Sequence, residues 1–301
     1  MSSLGVRRGW RGLSAAIVVI GATAWLPGCG GGGRSEATQA AATPSAPASP
    51  SSPSSPTGAA AWKPSVDSTW QWQLRGTINT AYAVDVYDID LFDAPDATLA
   101  TLKSAGRRVV CYFSAGSSED WRSDFSQFLA SDMGNPLKGW PGERWLDTRS
   151  ANVRRIMLAR LDLAAKRGCD GVEPDNVDGY ANTPGFPLDA ASQIDFNRFI
   201  ADAAHARGLA VALKNDSAQL DTLSAAFDFA VNEQCHEFNE CGTYTAFIAA
   251  GKPVFNAEYA SNYVQNTVGA RDALCQSARA AHMRTLVLPL QLDDTSRFSC
   301  D

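Results

Sequence analysis

The side chains best placed to do chemistry in this chain are carboxylates. Glu173 and Asp175 flank Pro174 and are followed by Asn176, and a third acid recurs in a similar setting as Asn232-Glu233-Gln234. Residues two apart on a strand face the same side, so Glu173 and Asp175 reach one surface together. Cleaving the acetal bond between two sugars passes through an oxocarbenium-like state. One carboxyl must protonate the leaving oxygen, and a second must attack the anomeric carbon or activate water. Asp175 and Glu233 are the candidate pair. Asp88, Asp90, Tyr112, Glu173, Asn176, Lys214, Asn215, Glu258 and Tyr259 are candidate substrate contacts around it. Their acidic members would attract a cationic sugar. Trp72, Tyr112, Tyr180 and Tyr259 offer ring faces for stacking and cation–π contact, or for plain packing at the mouth of the site. The plainer reading of any one acid is a helix cap or a loop ion pair, and a ring of ion pairs among Glu173, Asp178, Lys214 and Glu258 would need no substrate.

Other chemistries have little material. The three histidines, His205, His236 and His282, lie in different segments, which disfavours a histidine metal site or a Ser-His-Asp triad. No metal and no cofactor is expected, and no glycine-rich phosphate loop follows the first strand. A formal net charge of −6 and a pI near 5.1 argue against a nucleic-acid partner held through its phosphates.

Something must hold these residues on one rim. Strand-like runs occur at 69–74, 83–89, 108–114, 171–175, 209–214, 227–232, 253–257 and 285–288, alternating with helical patterns at 97–104, 151–167, 190–207, 243–250 and 270–282. Several helices close on glycine, at Gly106, Gly168, Gly208 and Gly251. Eight strands alternating with helices predict an α/β fold, a single closed (β/α)8 barrel over residues 62–301, whose site lies at the C-terminal strand ends. Polar residues crowd six of those ends, which capping alone explains poorly. A monomer is expected.

The first 61 residues have a different composition. Arg7, Arg8 and Arg11 precede an apolar run at 13–26 that leads to Leu26-Pro27-Gly28-Cys29. This predicts an export signal over residues 1–28, too short to be read as a membrane span. Leu-Pro-Gly-Cys resembles the bacterial lipobox, which makes Cys29 the expected lipidation site and a membrane lipid anchor the expected localisation, on the periplasmic or cell-surface side. Residues 29–61, rich in Gly, Ala, Ser and Pro, form the expected disordered tether. Six cysteines remain of the seven, an even number that suggests disulfides in an exported protein. Cys235 with Cys241 and Cys275 with Cys300 are the pairings that proximity favours, whereas Cys111 and Cys169 read as buried thiols.

The GVEPDN block at 171–176, with the VCYFSAG run at 110–116 before it and Lys214-Asn215 and Val231-Asn232-Glu233 after it, resembles glycoside hydrolase family 114. The resemblance runs from about Trp70 to about Leu288. It implies a (β/α)8 barrel, endo-acting cleavage of α-1,4-linked galactosamine polysaccharide, and a catalytic Asp and Glu that fall on Asp175 and Glu233. The chain is also similar to barrel α-galactosidases in carrying carboxylates on the fourth and sixth strands. That analogy makes Asp175 the nucleophile of a retaining mechanism and Glu233 the acid/base. A related hydrolase of another glycan and a non-cutting carbohydrate-binding lipoprotein stay open as alternatives.

Overall fold

Eight parallel strands organise the domain in the computed structural model, which describes residues 62–301. The leader, Cys29 and the tether lie outside the described residues. The strands are β1 (Trp70–Gln73), β2 (Val86–Asp90), β3 (Arg108–Ser114), β4 (Gly171–Asp175), β5 (Ala210–Lys214), β6 (Phe229–Glu233), β7 (Val254–Glu258) and β8 (Arg284–Val287), each paired in parallel with the next. Helix α1 (Asp96–Ser104) follows β2, α2 (Ala151–Arg167) follows β3 and α3 (Ala190–His205) follows β4. The short helices α4 (Leu220–Leu223), α5 (Thr245–Ala249) and α6 (Ser261–Val264), with the longer α7 (Ala270–Ala280), complete the alternation. This is the expected (β/α)8 barrel.

Local chemistry sets these elements. In α2, Ser150 Oγ accepts from the backbone N–H groups of Asn152 and Val153, and the helix ends on Gly168 at φ 79°, a conformation that costs glycine little. Its buried face carries Val153, Ile156, Met157, Leu161 and Ala164 at helical spacing, with the buried Arg160 among them. Asp189 and Ser192 form a reciprocal cap that starts α3.

Strand alternation divides the core in two. Trp70, Trp72, Val86, Val110, Ala212, Phe229, Val231, Phe255, Ala257 and Leu286 fill the barrel interior, with Trp70 stacked on Phe255 at a centroid distance of 4.9 Å. Tyr87, Ile89, Val109, Phe113, Val172, Val211 and Leu213 lie in the second cluster, under the helices.

Two features depart from the simple barrel. A ninth strand, β9 (Phe298–Ser299), runs antiparallel to β8. The seam between this end and β1 is spanned by single bonds: Arg297 donates to Trp70 O at 2.9 Å and to Gln71 Oε1 at 2.6 Å, and Trp70 Nε1 donates to Arg284 O at 2.9 Å. After β3, a small antiparallel sheet of Ser117–Glu119, Met133–Pro136 and Glu143–Leu146 is inserted on the C-terminal side. Both consist of pieces two to four residues long, too short for periodicity to reveal.

Cys235–Cys241 and Cys275–Cys300 are bonded as proximity suggests. Cys111 and Cys169 are corrected: they are a third disulfide, closing a loop of 58 residues between β3 and the start of β4. Three disulfides belong to an oxidising compartment, so the domain is that of an exported protein. Among the described residues no helix is long and apolar enough to cross a membrane.

Candidate active site

The inward positions of β2 to β7 turn polar at their C-terminal ends, and a buried lysine links them. Lys214 Nζ lies 2.8 Å from Glu173 Oε1, 3.3 Å from Asp175 Oδ1 and 3.5 Å from Glu233 Oε2. Its side chain and that of Glu173 are sealed from solvent, whereas Asp175 and Glu233 keep 18% and 28% exposure. Two partly open carboxylates thus sit over a closed ion pair. Because both oxygens contact one nitrogen, their separation cannot exceed about 6.8 Å.

Neighbouring strands fix each carboxylate. Tyr112 OH donates to Asp175 Oδ2 at 3.0 Å, and the Asn176 N–H donates to Oδ1 at 2.7 Å. Tyr259 OH donates to Glu233 Oε1 at 2.6 Å. Asn215 Oδ1 accepts from the Glu233 N–H at 3.0 Å, tying the end of β5 to that of β6. The residues just beyond the strands, Asn176, Asn215 and Gln234, all adopt left-handed backbone with φ of 60°, 49° and 66°. Asparagine is among the few side-chain-bearing residues that tolerate this region, and the sharp turn leaves the preceding inward side chain at the mouth.

Burial and charge set the proton affinities. Burial alone would lower Lys214, but Asp175, Glu173 and Glu233 hold it well above the usual lysine value. Glu173 is pushed up to about 7 by burial, with Lys214 opposing. Asp88, buried below them, is raised well above an ordinary aspartate by burial and by the charge of Glu173. Tyr112 and Tyr259 are raised by burial and then by Asp175 and Glu233 respectively, so both remain hydrogen-bond donors.

The remaining candidate contacts separate by strand face and by the partners they have taken. Asp88, Tyr112, Glu173, Lys214 and Tyr259 join the inward cluster, with Asn176 and Asn215 at its edge. Asp90 is engaged by Arg122 at 2.9 and 2.6 Å, which joins it to Glu119 of the inserted sheet. Glu258 falls on the outward parity of β7 beside Asn256, is fully buried, and accepts from the His236 N–H at 2.8 Å. Trp72 lies beneath Lys214, its ring 4.7 Å from Nζ. Tyr180 donates to Asp216 at 3.2 Å. Cys235, His236 and Cys241 cluster closely, but the two sulfurs are bonded to each other and supply no thiolate.

Residue patterning missed a second tier of support. Asn176 Nδ2 donates to Ser114 Oγ at 2.9 Å, Ser114 Oγ meets Ser117 Oγ at 2.6 Å, and Ser117 Oγ donates to Glu143 Oε2 at 2.7 Å. Glu143 is raised to about 7 by burial. On the other flank Asn232 accepts from Asn256 at 2.9 Å and donates to Tyr244 OH at 2.8 Å. Glu143 comes from the inserted sheet, so nothing in its local sequence signals a role.

Hydrolysis of a glycosidic bond calls for two carboxyls held at one mouth, and this barrel supplies them where barrels build their sites; the class is that of a glycosidase. The family follows from comparison with known proteins: the chain belongs to glycoside-hydrolase family GH114, whose model matches residues 51–301. Ega3 of Aspergillus fumigatus, solved in complex with galactosamine, is similar at 44% identity and a TM-score of 0.76, over 82% of this chain and 100% of that one. The glycoside hydrolase domain of PelA from Pseudomonas aeruginosa shares the fold at 18% identity and a TM-score of 0.58, over 75% of this chain and 96% of that one. An uncharacterised protein of Deinococcus radiodurans is 27% identical over 234 residues, which is 70% of this chain and 73% of its own.

Proposed function

We propose that the protein is an endo-acting glycosidase that cleaves α-1,4-linked galactosamine polysaccharide by a retaining mechanism, from a lipid anchor on Cys29. The observation that carries this reading is the shared lysine contact, which limits the two oxygens to a separation of about 6.8 Å. That limit takes in the about 5–5.5 Å of retaining enzymes and reaches only the lower edge of the roughly 6.5–9.5 Å of inverting ones, which favours the retaining step. In the first step an Asp175 oxygen attacks the anomeric carbon and forms a glycosyl ester, while Glu233 gives its proton to the departing glycosidic oxygen. In the second, Glu233 takes a proton from water, the oxygen of that water bonds to the anomeric carbon, and the ester bond to Asp175 breaks. Tyr112, Asn176, Asn215 and Tyr259 hold the two carboxylates and border the bound sugar.

The sugar follows from charge. Lys214 is neutralised from below by Glu173, so with Glu233 carrying the proton it donates, the charge facing solvent at the mouth is that of Asp175. A sugar bearing an ammonium group suits that field better than a neutral one. The similarity to a protein crystallised with galactosamine supports the same choice. Export and acylation rest on the basic, apolar and Leu-Pro-Gly-Cys pattern of residues 7–29. Cys29→Ala should therefore move the expressed protein from the membrane fraction to the soluble one; an unchanged distribution removes the anchor.

The deciding experiment is product release from purified α-1,4-galactosaminan, acetylated and deacetylated, by wild type, Asp175→Asn and Glu233→Gln. Wild type is expected to release oligosaccharides with retained anomeric configuration. Each variant is expected to lose about 10³-fold or more while staying folded, as removal of an acid/base or nucleophile does. Binding without cutting would make the protein a lectin-like binder, and cleavage of a galactoside instead would move it to another glycan.

A further inference from the structure

The layer beneath the catalytic pair contains one acid more than it has cations to balance. Asp88, Glu173 and Lys214 are 1%, 0% and 2% exposed. Lys214 contacts Glu173, Asp175 and Glu233, and among the described residues Asp88 makes no ion pair. The carboxyls of Asp88 and Glu173 are nonetheless within hydrogen-bonding reach of each other. Asp88 Oδ1 and Glu173 Oε2 are both buried without a donor. Two buried carboxylates in contact cannot both be anions, and one proton between them supplies the missing donor.

Geometry decides which acid holds the proton. Glu173 has the lysine at 2.8 Å, so the negative charge belongs there. Asp88 faces Trp72 on β1 and Val110 on β3 through the strand register, neither of them charged. The other charges that act on it are Glu173 and Asp175 from β4 and Lys214 from β5. Burial raises Asp88 well above the usual value, in the same sense.

Building on the hydrolase reading above, we propose that Asp88 is a positioning residue that works as a neutral acid. It donates to Glu173, and the single negative charge left on that pair balances Lys214 and keeps its ammonium group between Asp175 and Glu233. The floor of the site is then electrically neutral. Ionising Asp88 would add a second buried anion below the lysine and draw it away from the catalytic pair.

The test combines a spectroscopic readout with a kinetic one, on the purified full chain. In an Asp175→Asn/Glu233→Gln background at pH 7, infrared difference spectra should contain a protonated-carboxyl carbonyl stretch that disappears when Asp88→Asn is added. Carboxyl-13C-labelled aspartate in Asp216→Asn protein should shift the same band, which keeps the test open if Asp88→Asn fails to fold. In the hydrolysis assay Asp88→Asn, which mimics the neutral acid, should stay within about threefold of wild type in kcat. Asp88→Ala, which frees Glu173 and the lysine to shift, should lose about 10²-fold. No aspartic carbonyl band at Asp88, or an Asp88→Asn protein that folds but is as inactive as Asp88→Ala, overturns the proposal. If the wild type cleaves no glycan, the infrared arms decide the protonation state alone, so failure of the hydrolase reading is seen separately.

Discussion

At the scale of single residues, the site depends on how each carboxylate is held. Glu233 has a short bond from Tyr259 at 2.6 Å and a longer contact to Lys214 at 3.5 Å. Tyr259→Phe deletes the donor and keeps the ring. Its kcat should fall about 10- to 100-fold, with KM changed less, because in the proposed mechanism the bond orients the group that transfers the proton. An unchanged kcat would mean that Lys214 and the strand alone orient Glu233. The Asp175 and Glu233 positions were legible in the sequence because an acid followed by Asn or Gln at the end of an apolar run is a local pattern. The tyrosines that hold them carried only a generic aromatic signal. Asp90 and Glu258 read the same way locally, yet one is spent on Arg122 and the other points out of the barrel. Strand parity sets Glu258 aside, and a strand end misjudged by one residue reverses parity; Asp90 keeps the inward parity of β2 and is set aside only by Arg122.

At the scale of elements, the ends of β3 and β4 are clamped together. The N–H groups of Ala115 and Gly116 both donate to Asp175 O, at 2.8 and 3.0 Å, and Gly116 O accepts from Leu146 of the inserted sheet at 2.9 Å. A Cβ built on Gly116 would lie 1.8 Å from the carbonyl oxygen of Asn176. No rotamer relieves a clash between backbone and Cβ, so β3 and the turn after Asp175 would have to part. Gly116→Ala should lower kcat about 10²-fold, since displacements near 1 Å carry that cost, while the far-ultraviolet circular dichroism stays near wild type. Full activity would show that the turn after Asp175 can yield. The glycine was visible within the VCYFSAG run, but its reason was not, because the approaching atom is 60 positions along the chain.

At the scale of the whole molecule, stability and pH are coupled through buried acids. Asp216 is 4% exposed and lies beside Asp178, Tyr180 and Asn197; burial, followed by the charge of Asp178, pushes it up to about 8. In the unfolded chain it titrates near 3.8. Between those values the folded state holds a proton that the unfolded state has released, so this group's contribution is complete below about 3.8 and is lost as pH rises through about 8. Asp216→Asn removes the dependence. Its melting midpoint relative to wild type should therefore increase from pH 4 to pH 9, by about 2–4 °C for each kcal/mol released. A difference that stays flat with pH would mean that Asp216 is charged in the folded protein.

Much of this protein was determined by sequence alone. Eight strand runs, their alternation with helices and the acid-bearing ends of β4 and β6 are local, short-period patterns, and chemistry that needs two carboxylates follows from residue type. The third disulfide, the inserted sheet, the antiparallel β9 and the buried layer of Asp88, Glu173 and Lys214 were decided only by tertiary structure. Each joins residues beyond the reach of local periodicity, from Val287 with Phe298 to Cys111 with Cys169. Cys111 meets Cys169 because β3 pairs with β4, and Lys214 meets three acids because β4, β5 and β6 curve around one axis. Which side chains share a charge depends on distances that only the curled sheet sets, and so the lysine that unites the site read, in sequence, as one more polar residue at a strand end.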